Sequence, residues 1–131
     1  MKNHGQSTLV RYVADEMLRR HAIGRVYCPL DWGDYLIWKS GEAIQPLVFS
    51  HVHLVNHRTW NDYRRIGSGD WNWLSLADDY RLEYLVLSRQ RNGSLRRQIE
   101  RHHRAEVLYE DQQSLLVRIL PEPSDPAGRS L

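Results

Sequence analysis

Leu82-Glu83-Tyr84-Leu85-Val86-Leu87 is the stretch on which the fold turns. It is the strongest strand signal in the chain, rich in aliphatic residues and tyrosine, and the turn signal Asn92-Gly93 follows it. Helical patterns stand on both sides. Asp70 is expected to cap a helix from Trp71 to Tyr80, and Ser94 to begin one that reaches His103. Farther upstream, Asn56 is expected to cap a short helix through Trp60 and Tyr63 to Arg65, broken by Gly67-Ser68-Gly69. Pro46-Leu47-Val48-Phe49-Ser50 is an almost unbroken apolar run, as in a strand covered on both faces.

The same alternation continues toward the amino terminus. Asp31 reads as the cap of a helix from Trp32 to Lys39 closed by Gly41, and Arg25 to Pro29 reads as a short strand. Leu9, Val10, Val13, Met17 and Leu18 recur at helical spacing between Thr8 and His21, with Ser7 or Thr8 as cap and Gly24 beyond the end. Downstream, Ala105–Tyr109 and Ser114–Leu120 read as a hairpin around Glu110-Asp111-Gln112-Gln113. Pro121, Pro123 and Pro126 mark a flexible tail over 121–131, leaving one α/β domain over 1–120. Strands alternating with helices predict a small three-layer α/β sandwich. Its sheet of about five strands is expected to be mostly parallel, with the C-terminal antiparallel hairpin at its edge. Ligands of such folds bind beyond the carboxyl ends of the strands. Here that edge comprises Leu30–Asp34, Ser50–His53 and Ser88–Arg91.

Composition narrows the classes. A chain of 131 residues, 41% hydrophobic and 26% charged, can bury a core without staples. No run approaches the ~18 to 20 apolar residues of a membrane span, and the first residues lack the apolar core of a signal peptide. The single Cys28 excludes an internal disulfide framework and a multi-cysteine zinc site. Only Lys2 and Lys39 are lysines, leaving sixteen arginines, yet the net charge is only +2, so no strong field draws in polyanions. All five tryptophans lie between Trp32 and Trp73.

Four constellations carry chemistry. Asp31 and Asp34 at a strand's carboxyl end suit acid–base work or cation binding, and Trp32 stands between them. Alternation along an extended chain turns His51 and His53 to one side, where His57 or Asp31 would complete a metal set; the three histidines are weak ligand candidates, and no metal or other cofactor is expected. Arg89, Arg91, Arg96, Arg97, Arg101 and Arg104 form a basic cluster without a nucleic-acid signature, so no nucleic-acid partner is expected. Trp60, Trp71 and Trp73 are candidate stacking platforms for a sugar ring or a partner. No phosphate-binding Gly-Lys-Ser/Thr loop, dinucleotide fingerprint, nucleophile elbow or His-Glu-x-x-His is present.

The order of features resembles the soluble C-terminal domain of polytopic membrane glycosyltransferases, the dolichyl-phosphate-mannose–protein mannosyltransferase-like group. The likeness rests on Asp31-Trp32-Gly33-Asp34-Tyr35-Leu36-Ile37-Trp38, on the Trp- and Tyr-containing stretch His57–Trp73, on Leu76–Leu87 and on the hairpin Val107–Arg118. Ser50-His51-Val52-His53 stands where family members often carry an Asp-Gly-Arg-like turn. The family's catalytic acids lie in its membrane part, so no catalytic residue carries over. The resemblance implies a non-catalytic extracytoplasmic accessory domain. Its partners would be the transmembrane part of the same or a longer chain, an acceptor protein or the lipid-phosphate sugar donor, with the arginines facing anionic lipid. The alternative is a standalone cytoplasmic chain, either a small enzyme or a sugar- or partner-binding module. Its site would be Asp31, Asp34, His51 and His53 at the strand edge.

Overall fold

In the computed structural model, residues 2–48 and 55–121 are described, with the side chains of 10–48 and 55–121. The chain runs α1 (Lys2–Arg19), β1 (Gly24–Tyr27), a 3-10 turn (Leu30–Trp32), α2 (Gly33–Lys39), β2 (Ile44–Pro46) and α3 (His57–Ser68). It continues through α4 (Trp73–Asp79), β3 (Tyr84–Ser88), α5 (Gly93–Ile99), β4 (Ala105–Glu110) and β5 (Ser114–Ile119). The five strands form one open sheet in the order β2-β1-β3-β5-β4.

The mixed α/β class and the C-terminal hairpin stand as expected, but the mostly parallel sheet does not. β1 pairs in parallel with β2 and with β3, through three and two residue pairs. β5 then runs antiparallel to both β3 and β4 through longer registers, from Tyr84↔Arg118 to Ser88↔Ser114 on the β3 side. The reason lies in the hairpin. A short turn returns the chain antiparallel, and β5, apolar on both faces, takes the inner place beside β3. The second expected strand, Pro46–Ser50, is shifted to Ile44–Pro46 and lies at the sheet edge. Pro46 has no N–H to give to a further neighbour, which suits an edge. Phe49 and Ser50 lie outside the described residues.

Helix boundaries moved for similar local reasons. α1 begins at Lys2, so Ser7 and Thr8 lie within the helix rather than capping it. Asn56 does cap α3, its Oδ1 accepting from the Thr59 N–H at 2.8 Å. α3 runs through Gly67 and Ser68 and stops at Gly69, whose φ of +74° is the left-handed C-terminal conformation. The expected break therefore falls at its last glycine. α4 is shorter than expected and carries no side-chain cap, neither from Asp70 nor from Asn72.

Alternation along β3 divides the interior. Leu85 and Leu87 join Tyr27, Tyr63, Ile66, Trp73, Leu95, Ile99, Leu115 and Val117 in one buried cluster. Val86 joins Val10, Val13, Met17, Val26, Trp32, Leu36, Ile44 and Leu116 in the other. Since successive strand side chains point to opposite faces, α3, α4 and α5 supply the first cluster and α1 and α2 the second. Each fully buried aliphatic of β3 adds about 2 kcal/mol of transfer free energy.

Candidate functional site

β1 and β3 are parallel neighbours, so the segments following them leave the sheet at the same end. β5 opposes β3 with Ser114 beside Ser88, which brings the β4–β5 turn to that end too. Among the described residues, Leu30–Asp34, Ser88–Asn92 and Asp111–Gln113 therefore meet there.

A buried polar floor underlies them. Asn92 Oδ1 accepts from the Ser88 N–H at 3.0 Å, while its Nδ2 donates to the Gly67 carbonyl at 2.9 Å and to the Tyr27 hydroxyl at 3.2 Å. The Tyr63 hydroxyl donates to the Cys28 carbonyl at 3.0 Å, and the Tyr27 and Tyr63 rings stack 5.0 Å apart. A Cβ on Gly67 would stand 2.2 Å from the Tyr27 hydroxyl, so this position admits no larger residue without rearrangement. Burial pushes both phenols and the Cys28 thiol above their ordinary ranges. All three remain protonated at neutral pH.

At the same end of the sheet lies a cavity of about 170 Å³ walled by Trp32, Ser88, Gln90, Arg91, Gln112 and Gln113. Trp32 is 1% exposed, and its indole N–H has no hydrogen-bond partner. A buried donor without an acceptor costs about 1–3 kcal/mol, and the side chain that bears this one walls the cavity. Arg91 grips Asp31 with both prongs, Nη1 to Oδ1 at 2.5 Å and Nη2 to Oδ2 at 2.9 Å. The Arg91 guanidinium thus holds the Asp31 carboxyl below the usual carboxylate range. Beside these residues, Arg89 clamps the hairpin turn by donating to the Asp111 carbonyl at 2.9 Å and pairing with Glu110 at 3.2 Å. Partial burial pushes Asp111 upward, but bonds from the Gln113 and Ser114 N–H groups and the Tyr109 and Ser114 hydroxyls outweigh it, leaving the carboxyl lowered.

The residues singled out from sequence meet different fates. Asp31 caps no helix; Pro29 and Trp32 occupy the cap positions, and Asp31 serves Arg91 instead. Asp34 is exposed in the first turn of α2. His51 and His53 lie outside the described residues, and His57 is exposed at the start of α3. Among the described residues no group of three His, Cys, Asp or Glu is placed to hold a metal. Trp60, Trp71 and Trp73 make no common platform. Trp60 stacks on Tyr63 at 5.4 Å, Trp73 is buried against His102, and Trp71 stands 88% exposed. Of the arginine cluster, Arg89, Arg91, Arg96 and Arg104 hold carboxylates.

Gln90 falls within the expected edge Ser88–Arg91, whereas Gln112 and Gln113 were not foreseen as wall residues. The signal was available, since an inner β5 carries the hairpin tip to the carboxyl end of β3. Comparison with protein-family models, with curated proteins and with solved structures finds no match.

Proposed function

We propose that this chain is a non-catalytic accessory domain that holds a small, electrically neutral, hydrogen-bonding molecule at the carboxyl edge of β1 and β3. The observation that carries the reading is the cavity walled by Trp32, a side chain whose buried indole N–H is unpartnered. That N–H requires an acceptor, and the neighbouring Ser88, Gln90, Gln112 and Gln113 offer uncharged donors and acceptors. The one cation on the wall among the described residues, Arg91, already has its carboxylate. Binding is favoured over catalysis because, among the described residues, the titratable groups named at this end are committed. Asp31 is held ionised by Arg91, while Cys28, Tyr27 and Tyr63 are held protonated by burial. A general acid or base needs a pKa near the working pH.

In this proposal the two cores are the two interfaces of a three-layer sandwich. The domain serves an extracytoplasmic, membrane-bound glycosyltransferase-like protein, packed on the transmembrane part of the same or a longer chain. The described helices themselves include none long and apolar enough to cross a membrane. The reading frame preceding Met1 is then expected to encode apolar segments of about 20 residues. Contact with anionic lipid is the weaker part, since four of the clustered arginines are occupied by carboxylates.

The test is a titration of ¹⁵N-labelled protein, following the five indole N–H resonances, with that of Trp32 assigned by Trp32→Phe or by its NOE contacts. Glucose, N-acetylglucosamine and acetamide serve as neutral probes and phosphate as the charged one. The expected result is a saturable shift of the Trp32 resonance with at least one neutral probe. A Trp32 signal that none of them moves, or that only phosphate moves, overturns the reading.

A further inference from the structure

Gln112 and Gln113 belong to two hollows at once. On one side they wall the Trp32 cavity; on the other they line a groove of about 360 Å³ with Tyr12, Tyr109 and Asp111. The groove lies between α1 and the β4–β5 hairpin, and the turn that separates it from the cavity is only those two side chains wide. Taken alone, the cavity is smaller than the roughly 300–1,000 Å³ of ordinary ligand sites, whereas the two hollows together fall inside that range.

The lining has a consistent chemistry. Tyr109 is pinned by its hydroxyl, which donates to Asp111 Oδ2 at 2.7 Å, and burial and that bond push its phenol up to about 12. Its ring is therefore held in place before anything binds, which lowers the cost of ordering on association. Tyr12 is 54% exposed across the groove, with the Arg11 guanidinium 5.4 Å from its ring centroid. Between the rings and the cavity stand carboxamides, each a donor and an acceptor at once, as a vicinal pair of hydroxyls is. The charges are balanced locally. Asp31 faces Arg91, Glu110 faces Arg89, and Asp111 accepts four hydrogen bonds from its own turn. An anion would meet Asp31 and Asp111, and a cation would meet Arg91 and Arg11. Flat aromatic faces for the C–H side of a pyranose, amide forks for its hydroxyls and no net charge together describe a glycan site.

We infer that the ligand is a neutral glycan of at least two sugar rings, one in the Trp32 cavity and the next laid across Gln112 and Gln113 between Tyr12 and Tyr109. This rests on the binding reading above and adds the ligand's class and length.

The experiment is a comparison of affinities on the intact chain, by calorimetry and by the Trp32 resonance, across mono-, di- and trisaccharides of the glucose, mannose and N-acetylglucosamine series. A neutral Gly-Gln-Tyr-Gly peptide with blocked ends runs beside them. In at least one series the disaccharide is expected to bind tenfold or more tightly than the monosaccharide. Tyr12→Ala, an exposed change, should remove that gain and leave monosaccharide affinity unaltered; Tyr109→Phe should reduce it in part. A monosaccharide that binds with no gain from the second ring overturns the inference while the binding reading stands. No binding in any series overturns the inference, and the binding reading falls with it unless acetamide still moves the Trp32 resonance. Binding of the peptide alone replaces the glycan with a polypeptide ligand.

Discussion

Arg104 with Asp78 at one end of the sheet, and Arg91 with Asp31 at the other, make the same two-pronged contact in opposite surroundings. Arg104 precedes β4 and is 7% exposed; besides Asp78 at 2.8 and 3.0 Å, it donates from Nε to the Leu120 carbonyl. A guanidinium so buried depends on its partners, because its charge has nowhere else to be solvated. Arg91 is 48% exposed, and water can take over from Asp31 if the carboxylate is lost. The first pair holds the fold together, and the second fixes the place of one cavity wall. At the Arg91 end, stability comes from the floor beneath the pair, where Asn92 satisfies three buried groups.

The largest expected effect follows from that floor. Asn92→Ala strands the Ser88 N–H and the Gly67 carbonyl together, and should cost about 3 kcal/mol in urea unfolding. A loss below about 1 kcal/mol would return the Arg91 end's stability to the ion pair. Next, Asp78→Asn should cost about 2 kcal/mol and Asp31→Asn no more than about 0.5. Equal losses would erase the distinction between the two ends.

Acid titration sharpens it further. Asp31 and Asp111 are both lowered in the folded chain, so the unfolded chain binds more protons on the acid side. Their stabilisation is complete above the unfolded carboxylate value of about 4 and is lost as pH falls through their folded values. Asp111→Asn and Asp31→Asn should each flatten the fall in unfolding free energy below about pH 4. The smallest effect is a silence. Cys28, buried beside the floor with its thiol pushed upward, should take up no iodoacetamide at pH 8 before global unfolding. Labelling in native buffer would mean that the Arg91 end opens locally.

What could be read from the residues was set by how far the deciding contact lies along the chain. The 105–120 hairpin, the strand around Leu85 and the Asn56 cap are local, and their patterns are sufficient. Asp31 was legible as a cap or as an acid–base carboxylate but not as the partner of Arg91, which is 60 residues away. The sheet's hand of pairing was misjudged for a related reason. Strand–helix alternation says that β1 and β3 run parallel, but nothing in it says that β5 rather than β4 will sit beside β3. The position of Gln112 and Gln113 follows from that same choice, so the missed walls and the misjudged sheet are one error.

The order β2-β1-β3-β5-β4 also bears on how the chain comes into being. During synthesis β1 and β2 emerge first, with only three residue pairs between them. A two-stranded ribbon that short does not persist in water. The carboxyl-terminal half needs no such delay, because β3, β4 and β5 pair among themselves through ten residue positions. Growth from the ribosome therefore presents the strands in the reverse of the order in which they acquire stable partners. The amino-terminal third waits, unpaired, for a template made last.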